Sequence, residues 1–306
     1  MDIRDLDYFL ACCKTGSFTA AAREVHIVQS AMSCAIARLE KDLGALLFDR
    51  NVTPLALTEQ GVVLQDHARR ILDAVQAASD EVAAVSGQVR GAVTLGSTLH
   101  TGRIDLAGVL ADVRECHPDV VVKLRQFHAG SEGLILAARN GTVDIALTAS
   151  PCGDKPPPGI RLHPLFSEPM VFVCRPGHTL SRRRSVTVAD LRQEMILRPP
   201  PGWGTRTVID TVFGATESAW EIGSYSLMAS LVREGFATTL VPESAFSGDM
   251  LSGLRAILVD DVRLRWTLSA AVGSDRRMTA AATVLLHTLT QRSRGCPAEP
   301  AAIASA

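Results

Sequence analysis

The side chains best suited to bind a small molecule stand where short apolar runs end. Ser97, Thr98, Leu99 and His100 follow AVTLG and precede a helical stretch. Hydroxyls beside the free amides of a helix N-terminus suit a carboxylate. Gln126, Phe127 and His128 close a second run, VVVKLRQF, and Ala149 and Ser150 close a third, DIALTA. A further turn reads Pro200-Pro201-Gly202-Trp203-Gly204-Thr205. Its glycines permit close approach, and Trp203 offers a flat apolar wall. Tyr225 is the candidate for the far side. Each has a plainer role open to it. Ser97 and Thr98 can cap a helix. His100 and His128 can be solvated or core histidines, and Trp203 can be packing between subdomains.

Covalent chemistry finds little support. No GxSxG, P-loop or strand-borne GxGxxG is present. The cysteines, Cys12, Cys13, Cys34, Cys116, Cys152, Cys174 and Cys296, form no CxxC and no zinc spacing with histidine. Neither a metal, nor a cofactor, nor an enzyme is therefore expected. Reduced thiols in a cytoplasmic protein are the plain reading. A thiol redox sensor is an alternative, with Cys116, Cys152 and Cys174 as its candidates.

The elements that must position the strand-end residues alternate between strand and helix. Strands at 92–96, 120–127 and 144–149 are separated by helices at 102–116 and 130–140. A second set follows: strand 169–174, a helix near 187–193, MILRP, a helix from Thr205, strand 238–242, strand 267–272 and a helix near 278–292. This alternation predicts parallel sheet with crossover helices, where ligands sit at strand C-termini.

The N-terminal part differs. Leu6, Phe9, Leu10 and Cys13 give a first helix its core face, and a short second helix runs from about Thr19 to Val25. In VQSAMSCAIARLEKDLG, residues 28–44, Met32, Ile36, Leu39 and Leu43 make an apolar stripe. The opposite face carries Ser30, Cys34, Ala37 and Lys41, with Ser33 on its shoulder. A helix that only covers a core usually shows a solvated face rich in Lys and Glu. This one is small and nearly uncharged, as though something must come close. Gly44 is placed to end it. ALLFDR and NVTPLALT then read as two short extended pieces, a β-wing turning at Asn51 and Pro54. A long helix follows from Thr58 to Ser86. Its apolar positions Leu64, Ala68, Ile71, Val75, Ala78, Val82 and Val85 alternate in steps of four and three. That is a heptad seam, and a dimer partner is its expected occupant.

These segments together resemble the LysR-type transcriptional regulators. The matches are LxYF at Leu6–Phe9, GSFTAAA at Gly16–Ala22, QSAMS at Gln29–Ser33, LEKDLGALLFDR at Leu39–Arg50 and LTEQG at Leu57–Gly61. The resemblance is specific before residue 61 and looser after it. It implies a multidomain α plus α/β chain: a winged helix-turn-helix over 1–58, a linker dimerisation helix over 59–90, and a periplasmic-binding-protein-like effector domain over 91–295. Its subdomains would be 91–164 with 268–295, and 165–267, with a flexible tail at 296–306. The chain would cross between halves near 162–167 and return near 262–268. The third helix would then enter the DNA major groove, with the helix-turn-helix at about 18–37. Gln29 would bond adenine, Ser30 and Ser33 would reach bases or phosphates, and Ala37 would meet a thymine methyl. Thr19, Cys34, Arg38, Lys41, Arg50, Asn51 and Thr53 complete the implied DNA surface. The strand-end residues named above, with Tyr225, would face one another across an effector cleft.

Composition bounds the partners. The chain has 306 residues, 47% hydrophobic and 21% charged, with net charge −1. No global field draws it to nucleic acid. The first 57 residues hold six Lys or Arg against seven Asp or Glu. Non-specific DNA affinity, which comes mainly from phosphate neutralisation, should be modest for one headpiece. No secretory leader or apolar span of membrane length is seen, so a cytoplasmic protein without a membrane partner is expected. The expected partners are double-stranded DNA, a small effector that could carry a carboxylate, further copies in a homodimer or homotetramer, and RNA polymerase. A solute-binding protein without regulatory DNA binding is the remaining alternative.

Overall fold

Apolar side chains at helical spacing, closed by short caps, build the first of two units in this computed structural model. The structure describes residues 1–294 except 50, 51, 53, 86–88, 99, 216–219 and 247. Arg50, Asn51, Thr53, Leu99, the Val85 side chain and the 296–306 tail therefore lie outside the described residues. The units are Met1–Gln88 and Val89–Ala306.

In the first unit, α1 (Ile3–Thr15) is capped by Asp2 and α2 (Phe18–Glu24) by Ser17. The helix α3 (Gln29–Leu43) ends at Gly44, which is left-handed. Leu6, Phe9, Cys12, Met32, Ile36, Leu39, Leu47 and Phe48 form one core. Cys12 is the fully buried cysteine of α1, while Cys13 is only part-buried. Leu43, expected on the buried stripe, is 43% exposed. It is the last helical residue, beyond the reach of the neighbouring helices' core. The strands β1 (Phe48–Asp49) and β2 (Ala56–Leu57) pair antiparallel as a minimal wing. Thr58 then caps α4 (Glu59–Val85) by accepting from Gly61 N–H at 3.0 Å.

The second unit starts with parallel β3 (Gly91–Ser97), β4 (Val120–Gln126) and β5 (Ile145–Pro151), linked by α5 (Leu106–Cys116) and α6 (Gly130–Asn140). The strand β6 (Ile160–Cys174) continues without a break into the other half. There follow β7 (Ser185–Val186), α7 (Val188–Leu191), β8 (Ile196–Leu197), α8 (Gly204–Phe213), α9 (Tyr225–Arg233), β9 (Thr238–Pro242) and β10 (Arg255–Val259). The chain returns on β11 (Arg265–Gly273) and finishes in α10 (Ala280–Arg294).

The sheet order is β4-β3-β5-β11-β6-β10-β7, with β9 on β6 and β8 on β9. The expected parallel sheet is present in β3, β4 and β5, and β11 departs from it, running antiparallel to both β5 and β6. One strand carries the chain out and another brings it back side by side, so the two must run in opposite directions. Residues 160–169 of β6 pair with β11, and 170–174 pair with β9 and β10. The long strand thus stitches two half-sheets together. Val93, Leu95, Phe172, Leu240, Trp266 and Leu268 belong to the shared core. Neither α9 nor β10 was foreseen as an element.

Candidate functional site

The exposed face of α3 is built by its apolar opposite. Burying Met32, Ala35, Ile36 and Leu39 leaves Ser30, Cys34, Ala37 and Lys41 outward and Ser33 half-buried. Gln29 is exposed and its Nε2 donates to Ser33 Oγ at 3.0 Å, which leaves its Oε1 free to accept. Thr19 is exposed on α2. The N-terminal turn of α3 differs from its neighbours. Its cap position is Val28, no side chain caps it, and its first turn has no acid. The first amides of a helix lack internal partners and carry partial positive charge, so an uncapped, exposed turn suits a phosphate. Arg38 is otherwise engaged. Its Nε donates to Asp5 Oδ2 at 3.1 Å and its Nη2 to Asp5 Oδ1. Asp5 is fully buried on α1. This fork ties the outward helix to the core and raises the Arg38 pKa, chiefly through the hydrogen bond. Lys41 is exposed near the helix end.

The seam on α4 divides. Leu64, Ala68 and Ile71 pack into the unit's own core. Val75, Ala78 and Val82 are exposed, Val82 by 73%.

In the second unit, Thr98, His100, Ala149, Trp203, Gly204, Thr205 and Tyr225 meet around one slot between the half-sheets. Gly130, Ser131 and Trp266 complete it. Other expected residues lie elsewhere. Ser97 is buried and donates to Thr98 O at 2.8 Å. Phe127 packs with Leu134 and Val143 on the far side of the sheet. Gln126 and His128 are exposed and do not line the slot. Ser150 is also outside the lining, because alternation along β5 turns it away from the face that Ala149 shares. Gly202 also lies outside the lining, and its carbonyl accepts from Glu132 N–H at 3.1 Å.

Three lining residues went unforeseen. Trp266 sits one residue before the strand expected at 267, and Gly130 and Ser131 begin a helix whose N-terminus was not aimed at the site. A glycine is needed at 204, since a Cβ there would stand 2.1 Å from Ala149 O. Rings fill most of the space. His100 meets Tyr225 edge-on at 5.4 Å and Trp266 at 5.6 Å, and Trp266 meets Phe166 at 5.9 Å. The room left is ≈ 20 Å³, enough for about one water.

Behind the slot lies a buried ionic cluster. Arg103 bridges Glu168 at 3.3 Å and Glu243 at 2.6 Å. Ser244 donates its hydroxyl to Glu168 at 2.6 Å. Burial raises the Glu168 pKa, opposed by the Ser244 hydrogen bond and by Arg103. Burial pushes His100 down to about 4 and Tyr225 up to about 12. Tyr225 OH pairs with Thr205 Oγ1 at 3.0 Å. The set offers donors, acceptors and aromatic walls, and Ser244, the hydroxyl 3.2 Å from His100 Nε2, gives its proton to Glu168. Among the described residues, no group of three His, Cys, Asp or Glu is placed to hold a metal, and no helix is long and apolar enough to cross a membrane.

A helix-turn-helix with an uncapped outward helix, followed by a two-half α/β domain, defines a DNA-binding transcriptional regulator with an effector-binding domain. Residues 3–62 match the bacterial regulatory helix-turn-helix protein, lysR family, and residues 86–294 match the LysR substrate binding domain. The chain belongs to the LysR family. It is similar to the HTH-type transcriptional regulator CfxR of Cupriavidus necator, 32% identical over 215 residues, 70% of this chain and 65% of that protein. It is 27% identical to the regulator CbbR of Sinorhizobium medicae over 275 residues, 87% of this chain and 86% of the relative. Full-length CbnR complexed with its target DNA shares the fold with TM-score 0.64 at 21% identity, covering 97% of this chain and all (100%) of that one.

Proposed function

We propose that the chain acts as a homo-oligomer which presents two headpieces to operator DNA and is switched by a small molecule in the slot between the half-sheets. The observation that carries the DNA part is the open N-terminal turn of α3, with its small exposed face. Gln29, Ser30, Ser33, Cys34 and Ala37 line the groove, where small side chains let the backbone approach. Thr19 and Lys41, with Arg50, Asn51 and Thr53 of the wing, meet phosphates. Arg38 chiefly fixes the pitch of α3 through Asp5. Val75, Ala78, Val82 and Val85 hold the second copy, while Leu64, Ala68 and Ile71 seat the helix on its own headpiece.

In this reading 1–58 binds DNA, 59–90 joins copies, and 91–295 senses, as subdomains 91–164 with 268–295 and 165–267. The protein works in the cytoplasm, does no catalysis, and meets RNA polymerase at the promoter. An effector biases the oligomer only by binding one cleft arrangement better than the other. Closure or opening then changes the angle between headpieces, and so which half-sites are held and how far the DNA bends.

Footprinting of the purified full chain on its own upstream intergenic DNA, at stated salt, tests this. Two protected half-sites on one helical face are expected. Binding that vanishes with modest salt and leaves no discrete footprint would refute operator recognition at that DNA.

A further inference from the structure

The slot holds two polar edges without a partner among the described residues. His100 supplies the first. Its Nε2 lies 3.2 Å from Ser244 Oγ. Ser244 donates its hydroxyl to Glu168 Oε1 at 2.6 Å and its N–H to Oε2 at 3.2 Å. Arg103 Nε stands 3.3 Å from that same Oε2 and favours the carboxylate. A hydroxyl has one proton to give. Ser244 has committed it to Glu168, so His100 Nε2 must carry the hydrogen and donate to Ser244. The neutral ring then keeps Nδ1 as an acceptor.

Trp266 supplies the second edge. It lines the slot, is 2% exposed, and its indole N–H has no hydrogen-bond partner among the described residues. An indole N–H can only donate, and a buried unpaired donor is costly. Its benzo edge lies against Gly102, where a Cβ would come within 3.0 Å of Cζ3. The N–H is at the opposite corner of the ring.

Charge decides the class. Among the described residues, no Lys or Arg lines the slot. Behind it, Glu168 and Glu243 outnumber Arg103. At its mouth Glu132 Oε2 would lie 3.2 Å from a Cβ on Gly202. Against these stand the positive N-terminal ends of α6 and α8. One α6 amide, Glu132 N–H, is already taken by Gly202 O. The fields offset, and neither sign of ligand charge finds a dedicated partner. The walls carry the rings of His100, Trp203, Tyr225 and Trp266.

We propose that the slot recognises an uncharged planar molecule with one acceptor for Trp266 Nε1–H and one donor for His100 Nδ1, the chemistry of an aromatic primary amide or lactam. This replaces the carboxylate expected from the sequence, and it rests on the effector reading above. With room for about one water, such a ligand enters as the half-sheets part at Gly130 and Trp203.

Three isosteres test it: benzamide, benzoate and benzamidinium, titrated into the full-length chain by calorimetry and tryptophan fluorescence. Benzamide should bind at least about tenfold tighter than either ion, the worth of one well-made hydrogen bond. Trp266→Phe keeps a ring and removes the donor. His100→Gln keeps a donor for Ser244 and removes the Nδ1 acceptor. Each should weaken benzamide about tenfold; Trp266→Phe should also weaken benzoate, whose oxygens accept from the same N–H, whereas His100→Gln should leave benzoate unchanged. The proposal is overturned if an ion binds as tightly as benzamide, if benzamide does not bind, or if neither variant weakens it. Footprinting in parallel separates the two readings. A discrete footprint with benzoate preferred sinks the ligand class alone. Benzamide selectivity without any footprint sinks the regulator reading alone.

Discussion

Gly130→Ala should pry the slot open. Gly130 has φ +66 and opens α6, and a Cβ there would stand 2.7 Å from Trp203 Cδ1, 2.8 Å from Gly202 O and 3.0 Å from Trp203 Cα. Two of these three neighbours are backbone, so rotating the indole does not relieve the overlap. Carbon contacts need about 3.5 Å or more, and the opposing turn must retreat by nearly an ångström. That retreat stretches the Glu132 N–H to Gly202 O bond, 3.1 Å long, beyond useful range. Losing it costs about 1 kcal/mol. The Trp203 contact it releases contributes about 1 kcal/mol more, and alanine in a left-handed conformation adds about 1 kcal/mol. The total is about 3 kcal/mol. For a unit of this size each kcal/mol lowers Tm by roughly 2–4 °C, so a fall of roughly 6–12 °C is expected by differential scanning calorimetry. Trp266, buried in the parent, should shift its emission to the red as water reaches it. A fall in Tm with unchanged emission would refute the reasoning, because the overlap would have been absorbed by local collapse rather than by opening.

The exposed half of α4 supplies a second test. Val82→Glu places a charge on a side chain that is 73% exposed, so the headpiece should stay folded. Sedimentation should show dissociation toward monomer, and an unchanged mass would remove Val82 from the dimer seam. The third concerns pH. His100 is held neutral, its pKa pushed down to about 4 by burial, against about 6.5 in an unfolded chain. The fold refuses a proton that the unfolded chain accepts. Stability is therefore complete above pH about 6.5 and is lost as pH falls toward 4, by about 2 kcal/mol at pH 5. Glu168, with its pKa raised by burial, acts in the opposite sense, so the comparison is made against His100→Gln, which should lack the His100 share of the slope. Equal slopes in the two proteins would discard it. The fourth is redox. Burial pushes the Cys174 thiol up to about 11, and a thiol so rarely ionised reacts slowly with peroxide. The footprint should survive peroxide both in the parent and in Cys152→Ser/Cys174→Ser. Loss in the parent alone would establish a thiol switch.

The headpiece was legible because its signals are local. Gly44, Thr58 and the Met32–Ile36–Leu39 stripe act within a few residues of themselves, and each took the role its spacing implied. The α4 seam was legible only in part. A four–three spacing says that one face is apolar, and it does not say which partner covers each turn. The headpiece claims Leu64, Ala68 and Ile71 and leaves Val75 and Val82 outward. In the slot, Thr98, His100, Ala149, Trp203 and Thr205 were legible as strand-end or turn residues. Trp266 and the Arg103–Glu168–Glu243 cluster were not. They belong to segments far apart in sequence that meet only because β6 and β11 lie side by side. No local pattern marks a residue whose importance is set by its register on a neighbouring strand.

A slot this narrow constrains how any effector can act. The contacts that close it, the Glu132–Gly202 hydrogen bond and the Gly130–Trp203 packing, amount to about 2 kcal/mol. A ligand that requires opening must first overcome this, and its apparent affinity is reduced by roughly 30-fold. An effector opens the slot only by binding the open arrangement better than the closed one, by more than those contacts contribute. Gly130→Ala should therefore do more than destabilise. By removing the closed state's advantage, it should tighten benzamide binding by up to about 30-fold while pushing the unliganded protein toward its liganded footprint. A variant that is both less stable and more tightly bound is hard to obtain from simple damage to a pocket. Weaker benzamide binding in Gly130→Ala would mean that the closed arrangement is itself the one that binds.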